Sequence, residues 1–261
     1  MSGATGVAVA VANSRVIDVY VKYTNMLVGR DKACRLGQYF ARLLAYLVGQ
    51  RIARLGKTAG RVEWLATLVK IQQVLATTRK MMRSGKFVNF AQMAARALVA
   101  RNGEDEVVWA LGLVNKLGMC VFMAADTLGL VGTTLGLVRL RDPARVARVA
   151  QRGWLFALAA QALSALYQLR TVAIRAADLR RVRCHVEKTG DAMGDRECAT
   201  EEHALATQRA GLSKQLVAAA LDLSIPIKGL GILPLNEGLV ALAGTMTSLM
   251  GAQDVLSKAA A

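Results

Sequence analysis

Histidine, proline and aromatic side chains are scarce in this chain: 2 His, 3 Pro and 5% Phe, Trp and Tyr among 261 residues. Two histidines leave few players for acid–base or nucleophilic catalysis, and no elbow motif constrains a Ser/His/Asp set. Few prolines with abundant Ala, Leu and Arg favour helix over sheet, because these side chains lose little rotamer freedom in a helix. The cysteines Cys34, Cys120, Cys184 and Cys198 have no framework spacing, which suits a reducing compartment and excludes a disulfide-stapled secreted domain. Cys184, His185, Cys198 and His203 fall in one charged segment. They lack the C-x2–4-C pairs of a zinc site, and an adjacent Cys-His is an awkward chelate. Gly56-Lys57-Thr58 imitates the end of a phosphate-binding loop, but Arg51 stands where the motif needs glycine and no strand precedes it. No enzyme, cofactor or metal is expected.

Acidic residues are rare in the first 101 positions. Seventeen Lys or Arg meet only Asp18, Asp31 and Glu63, so +14 of the formal +16 lies there. Such a block must face something anionic. Its cations alternate with Leu, Val and Met at helical spacing, without the aromatic platforms or reading helix of a nucleic-acid binder. A lipid head-group surface is the expected partner, and nucleic acid is not. A mean hydropathy of +0.34 with 20% charged residues requires the two kinds of side chain to be segregated. The opening stretch lacks a basic region before its apolar run, Ser2 does not fit myristoylation, and Ala-Ala-Ala is not a peroxisomal matrix address. Internal targeting signals are expected.

Residues 31–55 place Leu36, Phe40, Leu43, Leu44, Leu47 and Val48 three and four apart, flanked by Arg35, Arg42 and Arg51. That period predicts an amphipathic helix with Asp31 near its start. Residues 60–83 repeat the pattern. Trp64, Leu65, Leu68, Ile71, Leu75 and Met82 form one face, and Glu63, Thr67, Lys70, Gln73, Thr77 and Lys80 the other. An interfacial helix needs this arrangement, with a Trp at head-group depth and long basic stems reaching phosphates. Arg61, Lys70, Lys80 and Arg83 are the candidate head-group contacts. The plainer alternative packs the stripe into a helix bundle and leaves the basic face solvated.

Between Lys116 and Arg139 lie 22 residues with one charge, Asp126. A helix needs about 20 mostly apolar residues to cross hydrocarbon, so 117–138 is the best spanning candidate. Gly129, Gly132 and Gly136 offer small-residue contacts there, as do Gly244 and Gly251 near the C-terminus. Asp126 is costly in a span unless it meets a partner helix or water. Asp142-Pro143 predicts a helix start, with the helix running to about Thr189 and Gly190 ending it. The charged segment 178–209 predicts a loop or hairpin tip. Further on, a helix to about Leu223, a connector kinked by Pro226 and Pro234, and a final helix from about Leu235 with Asn236 as a cap are expected.

Both ends of the chain carry motifs similar to those of the peroxin 11 family. At the start these are Val21-Lys22-Tyr23, Gly29-Arg30-Asp31-Lys32 and Arg35-Leu36-Gly37-Gln38-Tyr39-Phe40-Ala41-Arg42-Leu43-Leu44. At the end they are Asp222-Leu223-Ser224-Ile225-Pro226 and the run from Leu235-Asn236-Glu237-Gly238 to Gly251. The resemblance implies a peroxisomal or glycosomal membrane protein with cytosolic termini that self-associates and elongates the organelle before division. It also implies encounters with the membrane-protein import receptor and the fission machinery. Elongation would rest on a basic amphipathic helix at Arg61–Met82, and a small-metabolite channel is the alternative. The expected architecture is all-α: a membrane-associated helical bundle with basic amphipathic helices in 1–104 and one to three membrane-embedded helices. A membrane hairpin is expected in 105–177, an aqueous segment in 178–212 and a second embedded segment in 213–261.

Overall fold

The computed structural model of the chain describes residues 19, 22–23, 26–99, 103, 105–189 and 192–260, with backbone alone at 184–189, 192, 193 and 195. Residues 1–18, Val21 and Gly190 lie outside this description. The described residues form helices without a strand: α1 Leu27–Leu55, α2 Ala59–Arg83, α3 Lys86–Val99, α4 Glu106–Gly129, α5 Pro143–Thr189, α6 Ala192–Gly229 and α7 Glu237–Ala260. The all-α expectation holds.

Two compact units emerge. The first holds α1, α2, the stretch Asp126–Pro143 and α7 from its preceding turn. In it α1 is the shared partner, with α2 on one side and α7 on another. Ala41 and Ala45 of α1 bury against Leu68 of α2, with Leu44, Val48 and Leu65 around them. Along α7, Gly238 lies on the Tyr46 ring, Gly244 on the Tyr39 ring and Gly251 on the Lys32 stem. This descending and ascending order makes α1 and α7 antiparallel. The buried face of α7 is built from small residues, among them Ala241, Gly244, Ser248 and Ala252, which lets aromatic rings of α1 reach its backbone.

The second unit holds α3, α4 to Ala125, α5 and α6. Phe87 and Phe90 of α3 pack on Phe122 and Met123 of α4 and on Ala150 of α5, and the Phe122 and Trp154 rings stack at 5.1 Å. Helices α5 and α6 form an antiparallel hairpin through Val172, Leu205 and Leu212, closed nearer its tip by Arg183–Glu202 at 2.6 Å.

Several expectations change. The charged stretch 178–209 is a hairpin tip but not a loop, since helix runs through Thr189 and resumes at Ala192. Its Ala, Arg and Glu residues are good helix formers, and Cys198 and Leu205 are buried along it. Pro226 sits inside α6, buried, and the helix continues to Gly229. Its missing N–H leaves one i→i−4 bond of the helix unmade, and its ring is fully buried. Helix α4 starts eleven residues before the expected span and closes in a π-turn, Leu130–Thr134. Residues 135–138 are thus not helical, and Gly136 has a positive φ of 65°. Asp31 stands in the second turn of α1 and not at its start. Two predicted boundaries are met: α5 begins at Pro143, and the Gly238 N–H donates to Asn236 Oδ1 at 2.8 Å.

Candidate functional site: the outward apolar faces and the charges behind them

Large aliphatic side chains on α4 recur at 7, 3, 4 and 7: Val107, Val114, Leu117, Val121 and Leu128, each 42–47% exposed. That spacing puts them on one face of a 3.6-residue helix. From first to last they cover about 32 Å at 1.5 Å per residue, the thickness of a bilayer's hydrocarbon core. Helix α7 shows the same pattern in Leu239, Leu242, Met246, Leu249 and Leu256, 44–62% exposed. The stretch Glu106–Thr134 and α7 are both long and apolar enough to cross a membrane. They differ in surroundings: 11% of the apolar window of the first is buried, against 50% of the second. Helix α4 is therefore no core helix, whereas α7 has given one side to α1.

The stripe on α2 divides. Leu68 is buried, Leu65 packs beside it, and Leu75 lies against Gly37, so these three seal α2 onto α1. Trp64 is 66% exposed, and with Ile71, Val74 and Met81 it forms an outward strip at 7, 3 and 7. Met82 is half-buried. On the polar side Lys70 is exposed, while Arg61 turns back to the Gly56 carbonyl at 3.3 Å.

Behind this surface lies a charge network. The Arg79 guanidinium, 8% exposed, donates to Asp31 Oδ1 at 3.1 Å and to Gln38 Oε1 at 2.7 Å. Burial pushes its pKa down and neighbouring Arg83 adds to that, while Asp31 opposes the change. Arg83 and Lys80 pair with Asp126 at 3.2 and 3.3 Å. With Arg61 on the Gly56 carbonyl, three of the four candidate head-group cations are thus engaged within the protein, and the one acid of the apolar run is neutralised by helix α2. Arg42 pairs with Glu237, and Arg35 donates to the Thr247 hydroxyl at 3.1 Å, so the charges that α1 turns toward α7 are met. Before α4, Asp105 accepts the Tyr167 hydroxyl at 2.9 Å and caps the Val107 N–H at 2.9 Å. These donors, Tyr167 foremost, hold its carboxyl below the ordinary value.

The small residues are placed as follows. Gly244 and Gly251 face α1, Gly132 faces Leu140, Gly129 has open space around it, and Gly136 shapes a turn. A close approach of two helix backbones involves glycines that carry no signature of their own in the sequence. A Cβ on Gly118 of α4 would stand 2.7 Å from the Gly153 carbonyl oxygen of α5, and one on Gly153 would stand 2.9 Å from that of Gly118. Asn115 and the buried Arg79 are likewise visible only in the fold: the Asn115 amide donates to the Ala157 carbonyl at 2.8 Å. Among the described residues no three His, Cys, Asp or Glu side chains cluster as metal ligands.

Helices with outward aliphatic belts, and acids of the apolar segments matched by cations, define an all-helical membrane protein. The model of the family "Peroxisomal biogenesis factor 11 (PEX11)" matches residues 17–256, and the chain belongs to that family. It is similar to the peroxisomal membrane protein PMP27 of Saccharomyces cerevisiae, 26% identical over 237 residues that cover 90% of this chain and 92% of that protein. Peroxisomal membrane protein 11A of Bos taurus is 24% identical over 247 residues, covering 90% and 94%. The peroxisomal membrane protein 11 homolog of Dictyostelium discoideum is 22% identical over 259 residues, covering 94% and 96%. No solved structure matches. This is a membrane protein of the peroxisome, as the two end motifs implied. None of these relatives is named for an enzymatic activity.

Proposed function

We propose that the chain elongates the peroxisomal membrane before division by wedging the outward strip of α2 into one leaflet while α4 crosses the bilayer as an anchor. The strip Trp64–Ile71–Val74–Met81 is the observation that carries this reading, because it is exposed although α2 is otherwise fixed to α1. Burying each such side chain in lipid is worth about 1.5–3 kcal/mol, and each exposed cation beside it, such as Lys70, adds about 1 kcal/mol at an anionic surface. A helix inserted in one leaflet expands that leaflet relative to the other, and the curvature grows when copies lie side by side. Self-association therefore belongs to the proposal, as do cytosolic termini and encounters with the import receptor and the fission machinery. The wedge needs no separation of α2 from α1. Entry of the whole row Trp64, Leu65, Leu68, Ile71, Leu75 and Met82 would require one. A channel role has less support, because Asp126 and Glu237 both sit in ion pairs.

The test uses the full-length chain on anionic liposomes viewed by electron microscopy. Tubules are expected from the wild type and a strong loss of them from a Trp64→Glu/Ile71→Glu variant that still resists carbonate extraction. Equal tubulation by both would contradict the wedge.

A further inference from the structure

We propose that the loop 135–141, between α4 and α5, docks on anionic phospholipid, with its aliphatic tip among acyl chains and its two arginines on phosphates. Of the four aliphatic side chains in this loop the fold uses one, Leu140, which lies on Gly132. Leu135, Leu137 and Val138 are left outward, 44%, 74% and 46% exposed. The backbone that carries them is nevertheless fixed. The Leu135 and Leu137 N–H groups donate to the Leu130 and Val131 carbonyls, each at 3.0 Å. Between them Gly136, with its positive φ, lets the chain reverse. Arg139 and Arg141 follow, both exposed and without a hydrogen-bond or ion-pair partner among the described residues.

The anchor of the loop sets its depth. Val131 lies three residues past Leu128, the last member of the outward belt of α4, or about 5 Å at 1.5 Å per residue. The head-group layer on each side of the hydrocarbon is about 5–7 Å deep. The aliphatic tip therefore stands at the hydrocarbon boundary, and the arginines reach the phosphates above it. An exposed Leu-Gly-Leu-Val run that continues a lipid-facing belt and ends in unpaired cations matches that layering. The opposite end of the belt is preceded by Glu104, Asp105 and Glu106, which repel anionic head groups. Helix α2 touches the π-turn, and its Lys80 and Arg83 hold Asp126. The loop thus serves the leaflet that the Met81 end of the α2 strip enters. A second copy of this chain would bring the same arginines, and like charge, to the same place.

This inference rests on α4 crossing the bilayer, not on membrane elongation. The test places photoreactive p-benzoylphenylalanine at position 137 of the full chain, in vesicles of equimolar phosphatidylcholine and phosphatidylserine. Mass spectrometry identifies the adducts formed on illumination. Lipid adducts are expected, with phosphatidylserine exceeding phosphatidylcholine about five-fold. The excess should fall to parity in Arg139→Gln/Arg141→Gln and persist in Arg139→Lys/Arg141→Lys. An undiminished excess in the glutamine variant would overturn the assignment. So would adducts to a second copy in place of lipid, which would make the loop a protein interface. A chain that resists alkaline carbonate yet yields no lipid adduct would defeat the docking alone. Release of the wild type by carbonate would instead defeat the crossing of α4, and the docking with it.

Discussion

Arg79 has the least freedom of any cation in the described chain. Its guanidinium is taken out of water between α1 and α2, and Asp31 and Gln38 supply what water no longer does. Removing one partner of such a pair leaves a buried charge uncompensated, which is far more costly than replacing both by apolar groups. Asp31→Ala should therefore lose about 3–5 kcal/mol in chemical unfolding followed in detergent, and Asp31→Ala/Arg79→Met should recover much of it. An unaltered midpoint in the single variant would contradict the network. Asp105 makes a pH-dependent counterpart. Its carboxyl is held below the ordinary value mainly by the Tyr167 hydroxyl, so the cap of α4 is fully present above the ordinary carboxylate pKa. It is lost as pH falls through the lowered value. Hydrogen exchange at the Val107 and Val108 amides should accelerate over that window, and Asp105→Asn should flatten the dependence.

At the scale of the helices, glycine is decisive in some places and incidental in others. Gly244 lies against the Tyr39 ring, so Gly244→Leu should separate α7 from α1 at a cost of about 1–3 kcal/mol or more. Gly211, in the interior of α6, has nothing within 4 Å of a Cβ, and Gly211→Ala should stabilise by about 0.5–1 kcal/mol. Thermal unfolding of both variants checks the contrast, and a loss at Gly211 would contradict it. The periodicity of Leu and Val made most helices legible, because a 3.6 period needs no knowledge of partners. What a stripe packs against is not local information. Leu65, Leu68 and Leu75 look like their neighbours Trp64 and Ile71, yet only the fold assigns the first three to α1. Helix α3 went unmarked although Phe87, Phe90, Ala94 and Ala97 follow the helical period. Over 178–209 polar composition signalled a loop or a hairpin tip; the tip is there, but its Ala, Arg and Glu carry it as helix. The Gly118–Gly153 crossing needs two residues 35 positions apart, and no single-helix pattern contains it.

For the molecule as a whole, each apolar helix is paired with the means of placing it. Helix α4 offers lipid a continuous aliphatic face and keeps its single late acid, Asp126, against the cations of α2. Helix α7 is bound along one side to α1, so the two must occupy the same environment, and Arg35 and Arg42 enter it already satisfied by Thr247 and Glu237. The composition anticipated this sorting, since a positive mean hydropathy with 20% charge demands it. The pairing of each charge is a property of the fold. The central claim is that the belt Val107–Val114–Leu117–Val121–Leu128 faces hydrocarbon. Single spin labels placed along α4 of the reconstituted full-length chain test it most directly, by comparing collision rates with oxygen and with a water-soluble nickel chelate. Oxygen access should oscillate with a 3.6-residue period, peaking at these positions. Higher access for the nickel reagent along that face would contradict the membrane account.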